Sequence, residues 1–324
     1  MKKARLLGFM LGVMTIFVPL METAPAAEKK YPTKPIQVIV PFAPGETDNL
    51  LRPFIEKMPE FLGQPVTYVY KPGAAGATGA AFVAASKPDG YTLVATSQSS
   101  VVLLCITNKD IGYTPESFTA VSCLVEGYLN VGVLANSRWK TIQDLVAEAK
   151  KNPEKISYSS TGTFGITHIA GEAFAKEAGI RFTHIPTAGA GPAVTAMLGG
   201  HVDFSVAGSG PTFPHIKAGT ARSLMIFNAK RAKAIPDVPC AEELKYPVIP
   251  LNYGLLAPKG TPKEVIDILA QAIKKVTEQH AAFIESRVSQ LGAQVNVLGP
   301  AEHAAFLKGQ YDYYDKIYQA MQKK

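Results

Sequence analysis

The sequence predicts an α/β protein of two lobes, with a chain that crosses twice between them. Short apolar runs alternate with capped helical segments, and this alternation is typical of parallel strands joined by helical crossovers. The chain has 324 residues, 47% of them hydrophobic, which is enough for two cores. Two short extended runs, Leu129–Val133 and Leu251–Leu255, are the expected crossings. We therefore expect a discontinuous lobe, residues 28–131 plus 251–324, and an inserted lobe, residues 132–250.

The N-terminal part of the discontinuous lobe begins with an apolar strand that ends at Pro41. Thr47 or Asp48 is expected to cap the first helix, and Gly63 ends it. The expected elements are, in order, strand 36–40, helix 49–62, strand 66–69, a Gly/Ala-rich segment at 74–85 that is helical in its second half, and strand 92–95.

The inserted lobe continues the alternation. Thr167 is expected to cap one of its helices, and Gly199 and Gly200 end another. The expected elements are helix 141–151, strand 156–159, helix 169–177, strand 182–185, helix 193–198 and strand 202–206. Beyond the second crossing, Thr261 to Glu264 form a predicted capping box for a helix that runs to residue 277, and Pro300 begins the last helix.

The first residues follow the order of a secretory signal peptide. Lys2, Lys3 and Arg5 precede the apolar run Leu6–Met21, and small residues follow at 24–27. The apolar run is shorter than the ~20 residues that a helix needs to span a bilayer. We therefore expect residues 1–27 to be a signal peptide, cleaved near Ala26 and Ala27, and the mature chain to be exported and soluble.

Composition narrows the possible partners. The net charge is +7, and the basic residues occur as scattered pairs such as Lys150-Lys151 rather than as a stripe, which argues against nucleic acid. The six histidines lack the spacing of metal ligands, and neither a metal nor an organic cofactor is expected. Cys105 and Cys123 either pair in an oxidising compartment or, together with Cys240, remain buried thiols.

Five loops between a strand and a helix are rich in glycine and small polar residues. Such loops lie where ligands bind to parallel sheets, and glycine lets the backbone approach an anion at a helix start. Two of them belong to the discontinuous lobe and three to the inserted one. They are residues 41–48, 96–99, 161–168, 187–192 and 207–210. Together they predict a cleft of amides and hydroxyls suited to carboxylates.

Several short motifs resemble one family along nearly the whole mature chain. They are Val40-Pro41-Phe42 with Pro44-Gly45 and Thr47-Asp48, Lys71-Pro72-Gly73-Ala74-Ala75-Gly76, Pro88-Asp89-Gly90-Tyr91-Thr92-Leu93, His168-Ile169-Ala170-Gly171-Glu172, Thr183-His184-Ile185-Pro186 with Gly189-Ala190-Gly191-Pro192, Leu198-Gly199-Gly200-His201-Val202-Asp203, Pro236-Asp237-Val238-Pro239 and Gly254-Leu255-Leu256-Ala257-Pro258-Lys259-Gly260-Thr261-Pro262. The pattern is similar to the Bug or TctC family, the periplasmic solute-binding proteins of tripartite tricarboxylate transporters.

The resemblance implies a type II periplasmic-binding-protein fold, a Venus flytrap of two α/β lobes. It also implies a periplasmic monomer without enzymatic activity, which binds a small di-, tri- or aromatic carboxylate, largely through backbone amides and water, and delivers it to membrane permease subunits. The ligand-binding positions that it implies are Gly45, Glu46, Thr47, Asp48, Ser97, Gln98, Ser99, Thr163, Phe164, Gly165, Thr167, His168, Gly189, Ala190, Gly191, Ala207, Gly208 and Ser209.

One position departs from the family pattern. Glu46 follows Gly45 where the family usually has a second glycine before the Thr-Asp pair. A carboxylate beside an anion site repels the ligand, unless it points away or binds an amine of the ligand. Phe164 either stacks on an aromatic acid or makes a hinge or core contact.

Two alternative functions stay open at this point. A ligand-sensing subunit for a signalling receptor would use the same flytrap and differ only in its docking partner. An exported hydrolase would need an activated nucleophile, and the chain has no Gly-x-Ser-x-Gly motif. A dinucleotide enzyme is disfavoured, because the glycines at 73, 76 and 79 are not followed by the expected acidic residue.

Overall fold

The computed structural model describes residues 31–322, and the expected signal peptide lies outside this range. Within it, no helix is both long enough and apolar enough to cross a bilayer.

The strands form two separate sheets. Their bounds are β1 (Ile36–Val40), β2 (Val66–Tyr70), β3 (Thr92–Ser97), β4 (Phe118–Gly127), β5 (Leu129–Leu134), β6 (Ser157–Ser160), β7 (Thr183–Pro186), β8 (Phe204–Gly208), β9 (Ala221–Ile226), β10 (Leu251–Pro258) and β11 (Gln294–Leu298).

Helices flank both sheets. Their bounds are α1 (Glu46–Ile55), α2 (Pro59–Leu62), α3 (Ala77–Ala84), α4 (Leu104–Thr107), α5 (Ile142–Lys151), α6 (Ile166–Ala178), α7 (Ala190–Leu198), α8 (Ser209–Lys217), α9 (Ala241–Leu244), α10 (Lys263–Gln279), α11 (Ala281–Ser289) and α12 (Pro300–Gln322). A 3-10 turn covers Ala74–Gly76, and a π-helical turn covers Ser99–Leu103.

Each sheet combines a parallel part with antiparallel strands. The first sheet has the order β11-β4-β10-β3-β1-β2, and the second has the order β7-β6-β8-β5-β9. Strand β1 runs parallel to β2 and β3, whereas β10 runs antiparallel to β3 and β4. In the second sheet β6 runs parallel to β7 and β8, whereas β5 runs antiparallel to β8 and β9. The prediction of an α/β fold with two lobes is confirmed, and the antiparallel strands add to the expected parallel rhythm.

The chain passes between the sheets at Tyr128 and again between Ile226 and Leu251. The two runs expected as crossings are strands β5 and β10, which begin directly after these passages. The exact lobe boundaries at residues 131 and 251 stay a prediction.

Buried apolar side chains hold each sheet against its helices. On one face of β1, Ile36, Val38 and Val40 are fully buried. On the other face Ile39 is buried and Gln37 is exposed, so the strand is largely covered on both faces. In the second lobe Tyr158 stacks on Phe204, with 5.2 Å between ring centroids. Burying one such side chain contributes about 1.5–3 kcal/mol, so these layers fix the strand ends that carry the loops.

Four predictions about helix ends are wrong. The expected helix 49–62 is two helices, because Pro59 has no N–H to continue the ladder of α1. Neither Thr47 nor Asp48 is the N-cap, since α1 already begins at Glu46.

The other two concern threonines that were expected to cap. The Thr261 hydroxyl donates to Pro258 O at 2.8 Å, and Pro262 takes the N-cap position of α10. Helix α6 begins at Ile166, so Thr167 lies inside its first turn and accepts the Thr161 N–H at 2.9 Å. All three cysteines are free thiols.

Candidate functional site

A pocket lies where the loops of both sheets meet. The empty space within it and at its mouth is about 410 Å³, a volume that includes open solvent. Helices α1, α6 and α7 begin at it, with Glu46, Ile166 and Ala190 among its lining residues. The first turn of a helix carries N–H groups without intrahelical partners, so three such turns at one pocket favour an anion. The lining residues are Phe42, Ala43, Glu46, Thr47, Ser97, Ser99, Leu129, Thr161, Ile166, Thr167, Ala190, Leu251 and Tyr253.

Asp48 orders the first loop from behind the pocket. Its Oδ1 accepts the Gly45 N–H at 2.7 Å, and its Oδ2 accepts from Arg52 Nη2 at 2.9 Å and from the Tyr70 hydroxyl at 2.8 Å. Its side chain is only 3% exposed. Asp48 therefore fixes the turn that presents Glu46 and Thr47 to the pocket, and it does not line the pocket itself.

The second loop joins the two lobes through Ser99. Its hydroxyl oxygen accepts the main-chain N–H of Ile166, the first residue of α6, at 3.1 Å. Gln98 points elsewhere: its amide nitrogen donates to Pro250 O at 2.5 Å, and its amide oxygen accepts the Asn252 N–H at 3.2 Å. Ser97 and Ser99 thus belong to the pocket, whereas Gln98 anchors the start of β10.

The third loop divides between the pocket and the surface. Thr167 lines the pocket, while Thr163 and Phe164 are exposed, Phe164 to 43%. His168 stacks on His184 with 4.0 Å between ring centroids, and its Nδ1 accepts the Phe164 N–H at 3.0 Å. Burial lowers the pKa of each histidine to about 4, so both rings are neutral at physiological pH. This pair shapes the loop and adds no positive charge to it.

Small residues form the contact between the lobes, which we call the glycine seam: Ala43, Ala75, Gly162, Gly165, Gly189 and Gly191. A Cβ atom at Gly162 would lie 3.1 Å from Ala75 Cβ, and one at Gly165 would lie 3.3 Å from it. A Cβ atom at Gly189 would lie 3.7 Å from Ala43 Cβ. The glycines at 162, 189 and 191 therefore let main chain of one lobe approach main chain of the other, with Ala190 on the pocket side.

The junction of β8 and α8 receives the side chain of Glu46. Gly210 N–H donates to Glu46 Oε1 at 3.3 Å. Ala207, Gly208 and Ser209 are buried at this junction, and none of them lines the pocket directly.

Glu46 is the acidic residue among the described residues that line the pocket. None of these lining residues is a lysine, an arginine or a histidine. Burial raises the pKa of Glu46 to about 7, against the opposite effect of hydrogen bonds from the Tyr253 hydroxyl and the Gly210 N–H. Burial, and secondarily the nearby Glu46 carboxylate, raise the pKa of Tyr253 far above its ordinary value. The pocket therefore contains a carboxyl group that keeps its proton to a higher pH than an exposed glutamate does.

A serine and a histidine do meet outside the pocket. Ser160 Oγ lies 2.6 Å from His184 Nε2. Ser160 is fully buried, however, and does not line the pocket. The geometry therefore does not present this hydroxyl to a substrate. Among residues 31–322, no group of three or more His, Cys, Asp or Glu side chains is placed to hold a metal ion.

The loops predicted from sequence contribute Glu46, Thr47, Ser97, Ser99, Thr167 and Ala190 to the lining. Sequence reasoning missed Tyr253, Leu129 and Leu251, which lie on the strands that follow the two passages between sheets. Their signal was available, because a segment that links two lobes must border the cleft between them. Phe42, Ala43, Thr161 and Ile166 lie inside loops that were identified, but they were not singled out.

Comparison with known proteins identifies the family. Residues 50–321 match the family described as the tripartite tricarboxylate transporter family receptor, TctC. The chain is 35% identical over 258 residues to the "UPF0065 protein in gbd 5'region" of Cupriavidus necator, covering 79% of this chain and 78% of that protein. It is 31% identical over 306 residues to BugT of Bordetella pertussis, covering 92% and 93% of the two chains.

Solved structures agree with this match. A structure described as a periplasmic transporter superposes with a TM-score of 0.85 at 36% identity, covering 91% of this chain and 99% of that one. MatC from Rhodopseudomonas palustris, solved with bound malate, superposes with a TM-score of 0.83 at 25% identity, covering 89% and 99%. The resemblance seen in the sequence motifs is thus confirmed, and the chain belongs to the tripartite tricarboxylate transporter receptor family, the Bug/TctC family of periplasmic solute-binding proteins.

Proposed function

We propose that this protein captures a small organic carboxylate in the periplasm, as a monomer, and delivers it unchanged to the permease of a tripartite tricarboxylate transporter. The observation that carries the proposal is the convergence of three helix starts from both lobes on one pocket. Those helix starts offer main-chain N–H groups to a carboxylate, so the pocket binds it without a positively charged side chain. MatC, which has the same fold, was solved with malate.

The binding step follows from the position of the pocket between the lobes. A ligand that accepts hydrogen bonds from α1 in one lobe and from α6 and α7 in the other gains them all only when the lobes are together. Ligand binding therefore selects that arrangement. The joined lobes then present a surface to the permease that separated lobes lack.

A thermal-shift screen of di-, tri- and aromatic carboxylates on the mature protein tests the proposal, followed by calorimetry on each hit. A ligand at 100 times its dissociation constant stabilises the folded state by about 2.7 kcal/mol. Ala190→Leu, which puts a bulky side chain at the pocket, should abolish the shift. The matched control Ala301→Leu, on the exposed first turn of α12, should leave it unchanged. If Ala190→Leu binds a hit as tightly as wild type binds it, the ligand site does not lie at this pocket.

A further inference from the structure

We propose that Glu46 occupies the amide site at the start of α8 in place of a second ligand carboxylate, so that the protein selects monocarboxylates whose far end is neutral or positively charged. The inference rests on the proposed function, since it assumes that one carboxylate of the ligand binds in the pocket.

The first argument is the fit of the Glu46 side chain to the other lobe. Glu46 is the first residue of α1, and its carboxyl group reaches across to α8. A Cβ atom at Gly208 would lie 1.6 Å from Glu46 Oε1 and 2.2 Å from Glu46 Cδ. The carboxyl group therefore occupies the space that a side chain at position 208 would fill. A Cβ atom at Gly210 would lie 3.0 Å from Glu46 Cγ. Two glycines thus leave the space that this carboxyl group fills.

The second argument is the set of donors around it. The Gly210 N–H donates to Glu46 Oε1 at 3.3 Å, and the Tyr253 hydroxyl is close enough to lower the pKa of the same carboxyl group. A main-chain N–H at a helix start together with a tyrosine hydroxyl is the kind of donor set that holds a carboxylate. Here the carboxylate comes from the protein, so these donors are already engaged when a ligand arrives.

The third argument is charge. Glu46 is 9% exposed and lines the pocket, and none of the described lining residues is a lysine, arginine or histidine that could neutralise it. A dicarboxylate would bring a second negative charge next to a buried one, and two carboxylates at close range cannot both stay ionised without cost. A ligand amide N–H or ammonium group facing Glu46 supplies the missing donor or counter-charge instead.

Two matched ligand series test this at pH 8, where Glu46 is mostly ionised. The aliphatic series is succinate, succinamate and 4-aminobutanoate; the aromatic series is isophthalate, 3-carbamoylbenzoate and 3-(aminomethyl)benzoate. Within each series one carboxylate is constant, and the far end changes from carboxylate to amide to ammonium. Calorimetry on the full mature protein gives the ratio of dissociation constants within a series.

Wild type should bind the amide or ammonium member at least tenfold more tightly than the dicarboxylate. Glu46→Gly frees the donors at α8. This variant should therefore bind the dicarboxylate at least tenfold more tightly than the amide or ammonium member. Glu46→Gln keeps the side-chain shape without its charge, and should reduce the discrimination against the dicarboxylate at least threefold. The control Glu56→Gln, at the exposed end of the same helix, should keep the wild-type ratio.

Ratios that stay the same in wild type, Glu46→Gly and Glu46→Gln would overturn the role of Glu46 and leave the proposed function intact. If wild type binds the dicarboxylate of a series more tightly than the matching amide, the role of Glu46 is likewise overturned and the proposed function stays intact. If none of these ligands, nor any carboxylate of the wider screen, binds wild type or Glu46→Gly, the proposed function itself fails, and the role of Glu46 fails with it.

Discussion

Replacing Glu46 by glutamine should stabilise the protein, and increasingly so as the pH rises. The carboxyl pKa is raised from its ordinary value of 4.5 to about 7 in the folded protein because the group is buried. In the unfolded chain the group loses its proton near pH 4.5. Between these values the folded state binds more protons than the unfolded state, so the free energy of unfolding falls as the pH rises.

The size of the effect follows from the same two values. Each pH unit between them is worth about 1.4 kcal/mol, so ionised Glu46 costs the folded state about 3 kcal/mol above pH 7. Glutamine keeps the acceptor for Gly210 N–H and has no charge to bury. The stability advantage of Glu46→Gln over wild type should therefore grow by about 2–3 kcal/mol between pH 5 and pH 8.

Urea unfolding followed by circular dichroism at half-unit pH steps measures this advantage. Subtracting the free energy of unfolding of wild type from that of the variant removes the contributions of all other titrating groups, because the two proteins share them. The control Glu56→Gln changes an exposed glutamate on the same helix and should show a flat difference across the range. A flat difference for Glu46→Gln would refute the claim that this carboxyl group is buried without a compensating charge.

Three further substitutions test the site. Asp48→Asn removes a charged acceptor of three hydrogen bonds and should lower the free energy of unfolding by about 2 kcal/mol, measured by urea unfolding. Ser99→Ala removes the acceptor for the Ile166 N–H between the lobes, worth about 1 kcal/mol, and should weaken ligand binding roughly fivefold in calorimetry. Gly208→Ala places a methyl group where the Glu46 carboxyl lies and should displace that side chain, weakening binding of the preferred ligand about tenfold or more.

Each of these has a matched control. Asp267→Asn, which breaks an exposed pair with Lys263, should change stability by less than about 0.5 kcal/mol. Ser289→Ala on the exposed end of α11 should leave binding unchanged. Gly208→Ala should have little effect when Glu46 is already glycine, and an undiminished effect in that double variant would show that the methyl group acts in another way.

Local patterns in the sequence predict the strand and helix order well, because burial and capping act over a few residues. Strand β1 is buried except at Gln37, and the glycine-rich loops do lie at the ends of strands. The partner of a side-chain hydrogen bond is harder to predict when several main-chain groups lie within reach of that side chain. Thr261 illustrates this, since its hydroxyl has a carbonyl three residues earlier as a competing partner.

The composition of the pocket could be predicted only in part, because it depends on pairing over long sequence distances. Strand β10 brings Tyr253 beside β3 and β4, more than a hundred residues earlier in the chain. The motif around Glu46 shows an unusual acidic residue, but not the direction of its side chain. That direction is set by two glycines of the other lobe, which no local pattern connects with it.

The glycine seam has a consequence for the entropy that is lost when the two lobes come together. Bringing two protein surfaces together normally freezes long side chains, at up to about 2 kcal/mol of rotamer entropy for each lysine or glutamine, whereas alanine and glycine have none to lose. Across this seam backbone meets backbone through alanine and glycine. Joining the lobes there orders almost no flexible side chains, so little of the binding free energy of a ligand is lost to side-chain entropy.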